Sequence, residues 1–111
     1  ECTTGMSVHD RLSCISKFIN PDSKPEELNR PGHLFPLRPR PTLLKERRGH
    51  TEGSIELMKL AGLQPVAIIV EIMNDDGTMA KGAQIAKFAT DNSLSLISIE
   101  ELYETVYGES I

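Results

Sequence analysis

The sequence predicts an α+β fold, and three observations carry the prediction. Apolar residues recur at helical spacing in Val8, Leu12, Ile15 and Ile19. A β-branched run, Val66 to Met73, has the length and composition of a buried strand. Between and after them the segments read in the order α, loop, α, β, α, β, α, a mixed α and β pattern. The chain has 111 residues, enough for one small domain, and its 39% hydrophobic and 25% charged residues are ordinary globular usage. No apolar run is long enough to span a bilayer.

The first helix is expected over 7–19, with Ser7 and Asp10 spaced as in a capping box and Asn20-Pro21 as its stop. Residues 20–49 should be irregular, because six of the seven prolines lie between positions 21 and 41. A loop this long in a small domain is either disordered or functional, and His33, Phe35 and Leu37 between prolines favour an ordered, functional one. A second helix is expected over 51–61, with Thr51 as N-cap, Glu52 at the positive end of the dipole and Gly62 at the C-terminal end. The strand at 66–73 follows, then a turn at Asn74-Asp75-Asp76-Gly77. A third helix should cover 80–91 with Ile85, Phe88 and Ala89 inward, and a short strand 94–97. Ser98 with Glu101 has capping-box spacing and opens a last helix running to about Tyr107.

The formal net charge is −4, yet residues 30–48 carry six Lys/Arg (Arg30, Arg38, Arg40, Lys45, Arg47, Arg48) against Glu46 alone. A basic stretch inside an acidic chain points to a small anion site rather than a nucleic-acid surface. Only Phe35 among the aromatic residues lies in that stretch, too little to stack bases. Cys2 and Cys14 lack CxxC spacing and are expected as reduced thiols of a cytoplasmic protein.

Several residues could carry chemistry, and each also has a plainer reading. Glu71 interrupts the apolar run and would share a strand face with Ala67, Ile69 and Met73. A carboxylate buried there is costly unless paired, hydrogen-bonded or protonated, and such a site suits proton transfer; alternatively Glu71 ends the strand facing water. His50 stands at a helix N-terminus after Arg47-Arg48-Gly49, where free N–H groups and an arginine make a phosphate cradle and an imidazole can bind metal or move a proton. The plainer reading is a solvated basic turn. His33 follows Arg30-Pro31-Gly32 on a loop that proline stiffens, although a loop histidine is often incidental. Thr3-Thr4-Gly5 offers two hydroxyls that could serve a phosphate or simply a turn, and Asp75-Asp76-Gly77 reads as a turn rather than a cation loop. No P-loop, GxGxxG, GxSxG or HExxH is present.

Taken in order, Thr3-Thr4-Gly5-Met6-Ser7 with Asp10-Arg11, Asn29 to Leu37 (NRPGHLFPL), Arg47 to Glu52 (RRGHTE), Leu60-Ala61-Gly62-Leu63 and Glu71 to Ala80 (EIMNDDGTMA) resemble the 3,4-dihydroxy-2-butanone 4-phosphate synthase family over nearly the whole chain. The resemblance implies a lyase of riboflavin biosynthesis that converts D-ribulose 5-phosphate to L-3,4-dihydroxy-2-butanone 4-phosphate and formate. It further implies a magnesium or manganese cofactor and a homodimer; the cytoplasmic location and the absence of a nucleic-acid or membrane partner are expected from the composition above. The implied fold is a mixed-sheet α/β sandwich, of which residues 1–111 would be the C-terminal part, with the N-terminal part absent.

By the same resemblance, His33 and Glu71 match the residues assigned to proton transfer, and His50 matches a metal ligand. Thr4, Arg47, Arg48, Gly49, His50, Thr51 and Glu71 fall at substrate-binding positions. Two departures adjoin the expected phosphate site. Residues 38–46 diverge from a stretch that usually contains Gly-Gly, and Arg48 stands where a small residue is common. The family's acidic loop with Arg-Glu, which supplies a second metal ligand, has no counterpart in these residues. The alternative is therefore a truncated, non-catalytic homologue that binds phosphate or a partner subunit without turnover.

Overall fold

The structure is a computed structural model and describes residues 3, 5–28 and 32–108. Its backbone divides into two compact units, 1–38 and 39–111.

In the first unit, α1 (Val8–Ile19) starts at Ser7, whose hydroxyl accepts the N–H of Asp10 at 3.0 Å. It stops at Asn20, extended before Pro21, as the proline requires. The expected apolar stripe is not the buried face: Val8 and Leu12 are exposed, whereas Asp10 and Cys14 are buried. The reason lies in Asp10, whose carboxylate collects the N–H groups of Thr3 and Gly5, each at 2.6 Å, and the Thr3 hydroxyl. Thr3 and Gly5 thereby lie against the Asp10–Cys14 face. Gly5 sits at φ +83 with Leu34 close beside its Cα, a conformation that suits glycine. Cys14 is disulfide-bonded, which corrects the expectation of a reduced thiol there; Cys2 lies outside the described residues.

In the second unit a 3-10 turn, Leu43–Lys45, leads into α2 (His50–Leu60), followed by α3 (Ala83–Asp91) and α4 (Ile99–Tyr107). α2 packs against α4 and against the 3-10 turn. The core is Leu44, Leu102 and Tyr103, with Ile99, Val106 and Tyr107 against it. Gly53 allows the helices to approach, since a Cβ there would meet the Ile99 side chain at 2.9 Å. Leu43 holds a left-handed backbone, φ 53, uncommon for a bulky residue, while its side chain is buried in the unit.

α4 is capped as expected. The Ser98 hydroxyl accepts the Glu101 N–H at 3.0 Å, the Glu101 carboxylate accepts the Ser98 N–H, and Gly108 ends the helix in the left-handed region. At the end of α2, Gly62 (φ +70) closes a Schellman arrangement, with Leu63 N–H bonded to Met58 O at 2.9 Å.

The α+β sandwich is not what the described residues form. Among them the only β pairing is an isolated antiparallel bridge, Met73 to Met79, around the Asn74–Gly77 turn. Residues 66–72 and 94–97 run without a ladder, and Ile68 and Val70 are 70% and 87% exposed. Composition marked 66–73 as strand-like, but a strand exists only when a second one satisfies its N–H and C=O groups. Only the narrow turn pairing does so here, through Ala80 N–H to Ile72 O at 2.9 Å and Asn74 N–H to Thr78 O at 2.7 Å. The third helix also starts later than expected, at Ala83, with Ala89 buried and Phe88 38% exposed.

Candidate functional site

Residues 39–49 and the head of α2 form one local structure. Thr51 is not the N-cap. Gly49 is, at φ −100 and ψ 162, so the helix begins at His50 and places Glu52 in its third position. The first intrahelical bond runs from Gly53 N–H to Gly49 O at 2.9 Å. The N–H groups of His50 and Thr51 precede that bond at the positive end of the helix dipole. His50 is exposed and Thr51 half-buried.

Glu52 organises the arginines around this helix head. Its carboxylate is buried and accepts from Arg47 Nη1 at 2.8 Å through Oε1 and from the Arg40 N–H at 2.9 Å through Oε2. Burial pushes the Glu52 carboxyl up, but the Arg40 N–H and the Arg47 guanidinium outweigh it, and the group lies below the ordinary carboxylate range. Gly49 lies directly under this pair, where a Cβ would collide with both Arg47 Nη1 and Glu52 Oε1.

Arg48 takes a different direction. Its guanidinium lies 4.7 Å from the centre of the Tyr103 ring, and Nη1 donates to Lys45 O at 3.3 Å. Lys45 Nζ lies 5.5 Å from the Tyr103 ring and 5.0 Å from that of Tyr107, and the two rings are 4.8 Å apart. The basic loop is thus anchored on α4 by cation–π contacts. Tyr107 O–H also donates to Thr42 O at 3.5 Å, and burial together with the Glu56 carboxylate pushes its hydroxyl up.

The site residues predicted from sequence separate into groups. Arg47, Gly49, His50 and Thr51 are brought together at the head of α2, with Arg48 beside them but engaged on Tyr103. Glu71 lies on the extended segment 66–72 and is exposed, because no second strand covers that segment among the described residues. His33 is an exposed residue of the first unit. Thr4 and the Asn29-Arg30-Pro31 part of its motif lie outside the described residues, while the neighbouring Thr3 hydroxyl is spent on Asp10. Two contributors were missed from sequence, Glu52 as the buried partner of Arg47 and the Tyr103/Tyr107 pair. Glu52 had a usable signal, a carboxylate at the third helical position, where it can reach back past the helix start.

As a metal site the described residues are incomplete. No group of three or more His, Cys, Asp or Glu gathers among them, and a single imidazole does not suit magnesium, which takes oxygen ligands. No helix among the described residues is long and apolar enough to cross a membrane.

Arg47, held by a buried carboxylate, thus stands beside the positive end of a helix. Residues 1–105 match the sequence profile of 3,4-dihydroxy-2-butanone 4-phosphate synthase, and the chain belongs to that family. It is 50% identical over 100 residues to 3,4-dihydroxy-2-butanone 4-phosphate synthase of Vibrio parahaemolyticus, a match covering 90% of this chain and 46% of the relative. Among solved structures, it is similar to RibBX of A. baumannii, described as a two-domain 3,4-dihydroxy-2-butanone 4-phosphate synthase, with TM-score 0.86 and 39% identity over 93% of this chain and 31% of that one. It is also similar to a 3,4-dihydroxy-2-butanone 4-phosphate synthase in complex with two magnesium ions, with TM-score 0.80 and 32% identity over 97% of this chain and 55% of that one. The chain spans about half the length of the curated relatives it matches.

Proposed function

We propose that the protein carrying this chain is a lyase of riboflavin biosynthesis that converts D-ribulose 5-phosphate to L-3,4-dihydroxy-2-butanone 4-phosphate and formate. The observation that carries the reading is the α2 head, where Arg47 is fixed by Glu52 beside the N–H groups of His50 and Thr51. In this reading the substrate phosphate docks there on Arg47, Gly49, His50 and Thr51, and Arg48 and Thr4 are further substrate-binding residues. An arginine fork and a helix end anchor a phosphate dianion while the carbon skeleton reacts.

The chemistry beyond the phosphate needs a base and an acid beside a carbonyl. Glu71 and His33 are the groups proposed for proton transfer, Glu71 also contacting substrate. A divalent cation, magnesium or manganese, would polarise neighbouring oxygens when bound. In this reading the His50 imidazole would be one of its ligands, and the described residues do not complete a site for it. Residues 1–111 would then be the C-terminal part of one synthase domain, in a cytoplasmic homodimer.

The test is formate release from ribulose 5-phosphate with magnesium present, by the protein carrying this chain and by its Glu71→Gln variant. Turnover by the parent and loss of turnover in the variant, with the fold kept, supports the reading. Absence of formate with retained phosphate binding would favour the non-catalytic alternative, and undiminished formate release by Glu71→Gln would remove Glu71 from proton transfer.

A further inference from the structure

We propose that Glu52 is a positioning residue for the phosphate end of the substrate, fixing the Arg47 guanidinium against Gly49 so that its remaining donors face an incoming phosphate; this rests on the reading of function above. Three observations converge on it.

The Glu52 side chain is 2% exposed and that of Arg47 is 57% exposed, so the pair has a buried carboxylate and an open cation. A buried carboxylate is retained only where its charge is met, and Glu52 is met twice, by Arg47 Nη1 and by the Arg40 N–H. Arginine carries five donors in a rigid planar fork, and contact through one terminal nitrogen leaves other donors available for a ligand. Gly49 supplies the second observation. A side chain there would occupy the space of the pair. The third is location. Glu52 stands at the third position of α2, where its charge suits the helix dipole and where it is one residue beyond Thr51, so guanidinium and helix N–H groups are held in one frame.

Without this tie Arg47 is a long, rotamer-rich, half-exposed side chain that must be ordered each time substrate binds. The tie moves that cost from binding into folding, which is preorganisation. The competing account is purely structural: Glu52 would only fasten the 39–49 segment to α2 through the Arg40 N–H. In that case its replacement would act independently of Arg47.

The experiment is a double-mutant cycle in the full-length protein that carries this chain, with Glu52→Gln, Arg47→Ala and both together. Glu52→Gln keeps the side-chain volume and an acceptor for the Arg40 N–H while removing the charge. Glu52→Gln is expected to raise KM for ribulose 5-phosphate about tenfold, with kcat changed less than about twofold. In the Arg47→Ala background the same substitution is expected to change KM less than about twofold. An equal KM effect in both backgrounds, or no KM effect in either, overturns the proposal. The guanidinium nitrogen resonances of Arg47 give an independent readout, expected in slow rotation in the parent and in fast rotation in Glu52→Gln. An unchanged Arg47 signal in Glu52→Gln also overturns it. If the parent releases no formate, the functional reading fails on that result alone. The clamp is then decided by the Arg47 signal and by inorganic phosphate titration of parent and Glu52→Gln, equal phosphate affinity overturning it.

Discussion

The guanidinium of Arg48 lies 4.7 Å over the ring of Tyr103, whereas its neighbour Arg47 turns to the buried carboxylate of Glu52. Adjacent arginines in one basic segment thus have different tasks. Arg48 joins the loop to α4, whose Tyr103 is in the core, and Arg47 serves the helix head.

This division predicts unequal effects of removing the two. Arg48→Ala should cost about 0.5–1 kcal/mol of stability through the lost cation–π contact. Arg47→Ala should cost more stability than Arg48→Ala, because it leaves the buried Glu52 carboxylate with the Arg40 N–H but no cation, and should also weaken phosphate binding far more. Inorganic phosphate titrations paired with urea unfolding check both halves, and a larger binding loss for Arg48→Ala would reverse the assignment.

Gly49 allows the helix head to be perturbed without touching a charge. A methyl group there would strike Arg47 Nη1 and Glu52 Oε1, and the Arg47 end is the part free to move, since it is half exposed. Gly49→Ala is therefore expected to keep the fold, lower the melting temperature by a few degrees, and release Arg47 from Glu52. Its KM effect should resemble that of Glu52→Gln; a KM equal to that of the parent would mean that the guanidinium does not need this place.

The parts of the fold that sequence made legible are those governed by local chemistry. Ser7 and Ser98 cap because a hydroxyl meets an N–H three residues on, Gly62 takes the left-handed place after a helix, and Asn74 to Gly77 turns through Asx and glycine geometry. What stayed hidden depends on distant partners. Glu52 was visible as a helix-start carboxylate, yet its bond to Arg40 spans 12 positions. Val66 to Met73 has strand composition, but pairing is a property of two segments, and the described residues supply no second strand. The same missing cover leaves Glu71 exposed, as in the plainer of the two readings its position allowed, and not buried among its apolar neighbours. On α1 the apolar stripe misled because Asp10, bonded to Thr3 and Gly5, decides which face is covered.

Leu44 tests how much of the second unit rests on its small core. It has no exposed surface and packs with Leu102 and Tyr103, at the junction of the basic loop and α4. Leu44→Ala should cost about 2–5 kcal/mol, the range for a buried leucine that leaves a cavity. In so small a core that is a large share of total stability, and urea unfolding should show a lower midpoint. A loss under about 1 kcal/mol would mean that the site collapses around the smaller side chain.

Asp10 predicts an acid-sensitive step in the first unit. The Thr3 hydroxyl and N–H, together with the N–H of Gly5, favour its charged form and hold its carboxyl down at about 2, against an ordinary value of 3.8. The folded value is depressed, so the stabilisation is complete above the unfolded value and disappears as pH falls through the folded one. The window therefore runs from about pH 4 down to about pH 2. Across it the Asp10 carboxyl carbon should titrate with a midpoint near 2, and the amide protons of Thr3 and Gly5 should lose protection in the same range. Asp10→Asn should weaken that protection already at neutral pH and flatten its dependence below pH 4, because an amide cannot titrate and carries no charge to attract the donors. Unchanged protection of Thr3 and Gly5 in that variant, or an Asp10 midpoint near 4, would show that the helix start is held by the Ser7 cap alone.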